Sequence, residues 1–83
     1  MDRIKNIQTL EQFTEAVKRG FKSYYHDLSD KEINDYFNTD DIKSMIKERF
    51  DDDYEDLKNG KITQSVFDIG CVSSVVYCLY YMY

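Results

Sequence analysis

Twelve of the sixteen acids in this chain fall between Asp27 and Asp56, and only four bases interrupt them. They are Asp27, Asp30, Glu32, Asp35, Asp40, Asp41, Glu48, Asp51, Asp52, Asp53, Glu55 and Asp56. Carboxylates held along helix ridges can take the place of nucleic-acid phosphates in a basic cleft. Charge then steers a fast encounter, and added salt weakens it. Clustered acids also attract divalent cations, though only weakly without a preformed cage. Tyr36 and Tyr54 stand among these acids, and aromatic anchors concentrate binding energy. The expected partner-binding set is therefore Asp35, Tyr36, Asp40, Asp41, Glu48, Asp51, Asp52, Asp53, Tyr54, Glu55 and Asp56, directed at a basic protein surface. The competing role for the same charge is to keep an aromatic-rich chain in solution.

Other reactive side chains are sparse. His26 is followed by Asp27, a pair that could poise a general base. Neighbours in sequence do not face each other on a helix, however, so His26 is expected to interact with the carbonyls at a helix end. Cys71 and Cys78 are seven apart, two helical turns or on the order of 10 Å, too far for a disulfide. They are expected to be buried free thiols in a reducing cytoplasm. Neither has the cationic setting that activates a thiolate. Glu55-Asp56-Leu57-Lys58-Asn59-Gly60-Lys61-Ile62-Thr63-Gln64-Ser65-Val66-Phe67 resembles the second half of an EF-hand calcium loop, with Gly60 at the sharp turn and Ile62 at the bridge position. That family places carboxylates at loop positions one, three and twelve. This chain has Glu55, Leu57 and Val66 there, so no metal site is expected, and the segment reads as a helix end followed by a turn. No phosphate loop, nucleotide fingerprint or metalloprotease motif is present. The chain is expected to be no enzyme and to hold no cofactor.

Helices must carry these residues. Thr9-Leu10-Glu11-Gln12 forms a capping box, and Leu10, Phe13, Val17 and Phe21 follow at helical spacing over about 10–25. Gly20 weakens that helix and marks close packing. Ser29-Asp30-Lys31-Glu32 is a second capping box, with acids in the first turn where they complement the helix dipole. It opens a short helix over 30–37. Asn38 or Thr39 can cap a third helix carrying Ile42, Ile46, Phe50, Tyr54 and Leu57. That helix either continues to about 58, ending at Asn59-Gly60, or breaks near Asp51–Asp53, since consecutive aspartates are poor helix formers.

The last segment is the hardest to read. From Ser65 to Tyr83 the only charge is Asp68. A helix over about 64–82, capped by Thr63, competes with a strand or hairpin near 61–66 or 75–83, because Val and Tyr favour strands. Length favours the helix. It would be the buried centre of the fold, with Gly70, Ser74 and Cys78 as a small-residue seam. A membrane span is not expected: Asp68, Ser73 and Ser74 interrupt the apolar run, and tyrosine prefers the interface. Met1–Asn6 lacks the apolar stretch of a secretory signal. Lys18, Arg19 and Lys22 are too few to expect direct contact with nucleic acid.

The expected fold is all-α, three to four helices in one small acidic domain, with α+β as the alternative. The expected function is a non-catalytic protein-binding module whose acidic face, 27–56, docks on a basic partner. Its sharpest form is an inhibitor that mimics nucleic acid against a host nuclease or DNA-binding protein, in the manner of phage and mobile-element proteins. The alternative is homodimerisation through the aromatic C-terminal segment, using Val76, Tyr77, Tyr80 and Tyr81. A third reading is a divalent-ion-responsive helical protein using 51–60. Thr9-Leu10-Glu11 and Leu28-Ser29-Asp30-Lys31-Glu32-Ile33 resemble the small helical haemolysin-modulating proteins that bind nucleoid partners, over about thirty-five residues. No function is carried over from that resemblance.

Overall fold

The computed structural model describes residues 5–83. Met1–Ile4, part of the polar opening segment, lie outside the described residues. The elements run α1 (Leu10–Tyr24), α2 (Asp30–Phe37), α3 (Asp40–Lys58) and a fourth helix over 64–82. Within that fourth helix, Val66–Cys71 is wound as a π-helix and Val72–Met82 is α4. The fold is all-α, and no strand forms among the described residues.

The caps form as the sequence dictates. Thr9 accepts the Gln12 amide, while Gln12 accepts the Thr9 amide in return. Ser29 and Glu32 repeat the exchange on α2. Thr39 precedes α3 but turns its hydroxyl back to donate to the Tyr36 carbonyl, 2.9 Å away. Helix α3 runs unbroken through Asp51–Asp53. Phe50, Asp53, Tyr54 and Leu57 keep its inner stripe in contact with the core, and that packing outweighs the poor propensity of aspartate. The helix ends where Gly60 takes φ +75°. The Gly60 amide donates to Leu57 and the Lys61 amide to Asp56, the paired bonds of a Schellman motif. The calcium-loop resemblance is therefore a helix C-cap.

Two aromatic clusters hang from α1. At one end Phe13 meets Phe50 at 5.4 Å and Phe67 at 5.6 Å between ring centroids, with Tyr54 stacked on Phe50. At the other, Phe21 gathers Tyr25, Tyr36, Phe37 and Tyr83 within 4.8 to 5.7 Å. The hydroxyls of Tyr25 and Tyr36 donate to the carbonyls of Tyr80 and Leu79 in the last turn of α4, where the Leu79 carbonyl also accepts the Tyr83 amide.

Helix α1 packs most extensively on α4. A Cβ on Gly20 would lie 2.7 Å from Val76 Cγ2, so the absence of a side chain sets this crossing. The close approach is at Gly20 and not at the Gly70–Ser74–Cys78 seam. Gly70 is exposed, and Ser74 and Cys78 face the side chain of Arg49. Nor is the fourth helix buried all round. Phe67, Val72, Val75, Val76 and Leu79 are buried, while Val66, Ile69, Tyr77, Tyr80 and Tyr81 are exposed.

The π segment explains which residues point inward. A π-helix turns each residue through less than the roughly 100° of an α-helix. Over Val66–Cys71 that lag brings Phe67 round toward the stripe of Val72, Val75 and Leu79, which Asp68 shares at a spacing of four, seven and eleven residues. Asp68 there accepts the amides of Asn6 and Ile7, at 2.7 and 3.0 Å. Gln64 bridges Asp68 and the Ile7 carbonyl. The lone acid of the C-terminal segment thus straps the start of the described chain to the fourth helix, and Ile7 is fully buried beneath it.

Gly20→Ala gains helix propensity but overpacks the crossing. The expected net loss is about 1–2 kcal/mol, read as a lower thermal midpoint by circular dichroism, with partial recovery when Val76→Ala is added. Asp68→Ala leaves two amides without acceptors, and its expected cost is about 1–3 kcal/mol. Accelerated amide exchange at Ile7 is the check, and unchanged exchange there would refute the strap.

Candidate protein-binding surface

The acids of 27–56 meet four different fates. Glu32 is spent on the α2 cap. Asp30, Asp35, Asp51 and Asp56 pair with Lys22, Lys31, Lys47 and Lys61, the middle two at 2.7 Å and the last at 3.9 Å. Asp53 turns inward. Asp27, Asp40, Asp41, Glu48, Asp52 and Glu55 are exposed and take no basic partner among the described residues.

Asp41, Glu48, Asp52 and Glu55 are spaced by seven, four and three residues, which puts them on one stripe of α3. Ile42, Ile46 and Phe50 are buried on the opposite side, so the stripe faces solvent. It is about 21 Å long at 1.5 Å per residue. Asp40 and Asp41 begin it in the first turn, where the helix dipole stabilises their charge.

The expected aromatic anchors are not on this ridge. Tyr36 is half-buried in the Phe21 cluster and bonded to Leu79, and burial pushes its hydroxyl pKa up. Tyr54 stacks on Phe50 at 5.2 Å and lies 5.9 Å from Phe67. Both tyrosines are core residues, used by packing before any partner arrives. Asp53 likewise leaves the expected set, since its Oδ2 is buried without a hydrogen-bond partner. Val76 is 3% exposed and belongs to the α1 crossing.

Asp53 faces a small polar cluster that the sequence did not reveal. Arg49 donates to Ser74 Oγ at 2.8 Å and toward Cys78 Sγ at 3.8 Å. Cys71 lies beside Asp53. Burial, then the Asp53 charge and a hydrogen bond to that carboxylate, push the Cys71 thiol up to about 11, against the pull of Arg49. At neutral pH Cys71 is a protonated packing residue and no nucleophile. Cys78 is exposed, not buried as expected. His26 lies exposed in the turn after α1 and makes no bond to the helix-end carbonyls.

Lys18, Arg19 and Lys22 line an open cleft of about 430 Å³ between α1 and α2. Glu15 and Asp30 pair with Arg19 and Lys22 there, and Lys18 lies over the Phe37 ring. The cleft is nearly balanced in charge. Among the described residues no group of His, Cys, Asp and Glu converges to hold a metal ion, and no helix is long and apolar enough to cross a membrane. No family model, curated protein or solved structure matches this chain. The likeness to haemolysin-modulating proteins rests on the two capping segments alone.

Thiol labelling tests the Asp53–Cys71 contact. At about pH 8, Cys78 is expected to react first with an aromatic disulfide reagent and Cys71 to lag, because only the thiolate attacks. Asp53→Asn removes the anion that opposes thiolate formation. Cys71 should then react faster at the same pH, and an unchanged rate would show that the Asp53 charge does not govern this thiol.

Proposed function

We propose that this protein is a non-catalytic binding module whose α3 ridge docks on a basic protein surface. The observation that carries this reading is the unpaired, outward stripe Asp41–Glu48–Asp52–Glu55 on one continuous helix. A helix holds its carboxylates at fixed spacing before the partner arrives, so little order is lost on docking. The surfaces that match such a stripe are those that bind nucleic-acid phosphates. In its sharpest form the protein is an inhibitor that occupies a nuclease or DNA-binding cleft of its host, acting in the cytoplasm. Protonated Cys71 and solvated His26 offer no catalytic constellation to compete with this reading.

The test is competition for DNA. Purified nucleases and DNA-binding proteins of the host are loaded with a short fluorescent duplex and titrated with this protein. Displacement is expected at low salt and should weaken steeply as salt rises past about 0.1 M. The variant Asp41→Asn, Glu48→Gln, Asp52→Asn, Glu55→Gln alters only exposed side chains and should keep the wild-type melting curve. Each exposed carboxylate contributes about 0.2–1 kcal/mol, so the four together should lose from about fourfold to nearly a thousandfold in affinity. A variant that displaces DNA as well as the wild type refutes the ridge as the docking surface.

A further inference from the structure

The fourth helix leaves one face uncovered. Val66, Ile69, Tyr77, Tyr80 and Tyr81 are 38–71% exposed, and Tyr24 of α1 extends the strip at 55%. No charged residue lies on it, because the only acid of the segment, Asp68, is turned inward to the Asn6 and Ile7 amides. The rings are already ordered against one another. Tyr80 lies 5.3 Å from Tyr24 and 5.5 Å from Tyr81, Tyr77 lies 4.9 Å from Tyr81, and the Tyr81 hydroxyl donates to that of Tyr77 at 3.1 Å.

We infer that this strip is the interface of a homodimer, two copies packing the same face against each other about a two-fold axis. Area supports this occupant. With about 200 Å² for a whole tyrosine side chain and somewhat less for Val and Ile, the strip offers roughly 600 Å² per copy. A pair of copies would bury about 1,200 Å² between them, the lower end of the range for stable interfaces. The strip is also at the upper limit of what a monomer normally leaves bare. Charge supports the same choice. A charged partner would be desolvated against a strip with no counter-charge, whereas a second copy brings a face equally neutral and equally long. A two-fold interface requires that self-match. The unpaired acids of the ridge stand on α3 and not in the strip, so like charges are not forced together. Ring order established within each copy lowers the entropy lost on association. The dimer does not depend on what the acidic ridge binds.

Sedimentation velocity on the full chain tests this from about 2 to 200 μM, since an obligate interface shows itself through concentration. The expected species is twice the 10.0 kDa chain mass. It should persist at about 1 M salt, where surface ion pairs are screened. Tyr77→Glu with Tyr81→Glu is expected to raise the dissociation constant at least thirtyfold while the helical circular dichroism is kept. Should that variant unfold, Tyr81→Ser carries the test, because its ring contacts only Tyr77 and Tyr80 and is the most exposed. Glu48→Gln with Asp52→Asn should leave the dimer intact. A wild type that stays monomeric to the highest concentration overturns the proposal and gives the strip to another partner. So does a dimer that the tyrosine variants leave intact, or one that dissolves in salt.

Discussion

Phe67 reaches Phe13 and Phe50 because the backbone from Val66 to Cys71 is wound wide. An unmodified α-helix with this sequence would turn Phe67 away from the stripe that Val72, Val75 and Leu79 bury. Asp68, four residues before Val72, shares that stripe in either winding and accepts the amides of Asn6 and Ile7. The π-helix gives up regular hydrogen bonding over one stretch. In exchange, one phenylalanine joins the central aromatic cluster. Helices α1 and α3 meet that rotated stretch through Phe13, Phe50 and Tyr54. Part of the exposed face of the fourth helix follows from it too, since moving Phe67 inward leaves Val66 and Ile69 outside beside the tyrosines of α4.

Charge and aromatic surface are thereby sorted to different parts of the molecule. Capping and ion pairing absorb several of the twelve acids of 27–56, and Asp53 is folded in against Cys71. What remains on α3 is a stripe of fixed carboxylates. The tyrosines divide as well: Tyr25, Tyr36 and Tyr54 complete the core, while Tyr24, Tyr77, Tyr80 and Tyr81 line solvent. Composition alone places acids and rings in the same chain. Only the fold decides that they act on separate surfaces.

Much of the architecture was legible in the residues. Capping boxes at Thr9 and Ser29, the Asn59-Gly60 stop and the Thr63 cap are local chemistry, and the helices begin and end there. The close contact at Gly20 was legible as a helix-weakening residue in an otherwise good helix. Tyr36 and Tyr54 pack against the core and off the acidic ridge, which periodicity does not tell, because it ranks a tyrosine by its stripe and not by how deep the neighbouring helix sits. The inward turn of Asp53 and the exposure of Cys78 are set by how α3 lies on α4, and the reach of Arg49 across to Ser74 and Cys78 has no local signature. Asp68 and Gln64 did carry a signal, a lone acid in an apolar run with an amide one turn before it. What the acid binds lies about sixty positions away and is invisible to any window.

That separation has a kinetic consequence. The Asn6–Asp68 bond joins residues 62 apart in sequence. Closing a loop of that length costs about 4 kcal/mol of chain entropy before any contact offsets it. The capped helices need no such closure and can form from local interactions alone. Phe21–Tyr83 spans the same 62 residues and Phe13–Phe67 spans 54, so one docking of α1 on the fourth helix covers the whole cost. The strap then closes by a short step, and it can reopen and release Ile7 while the Phe13 and Phe21 clusters hold. Its lifetime, and not that of the helices, then governs when the opening segment is available to a protease.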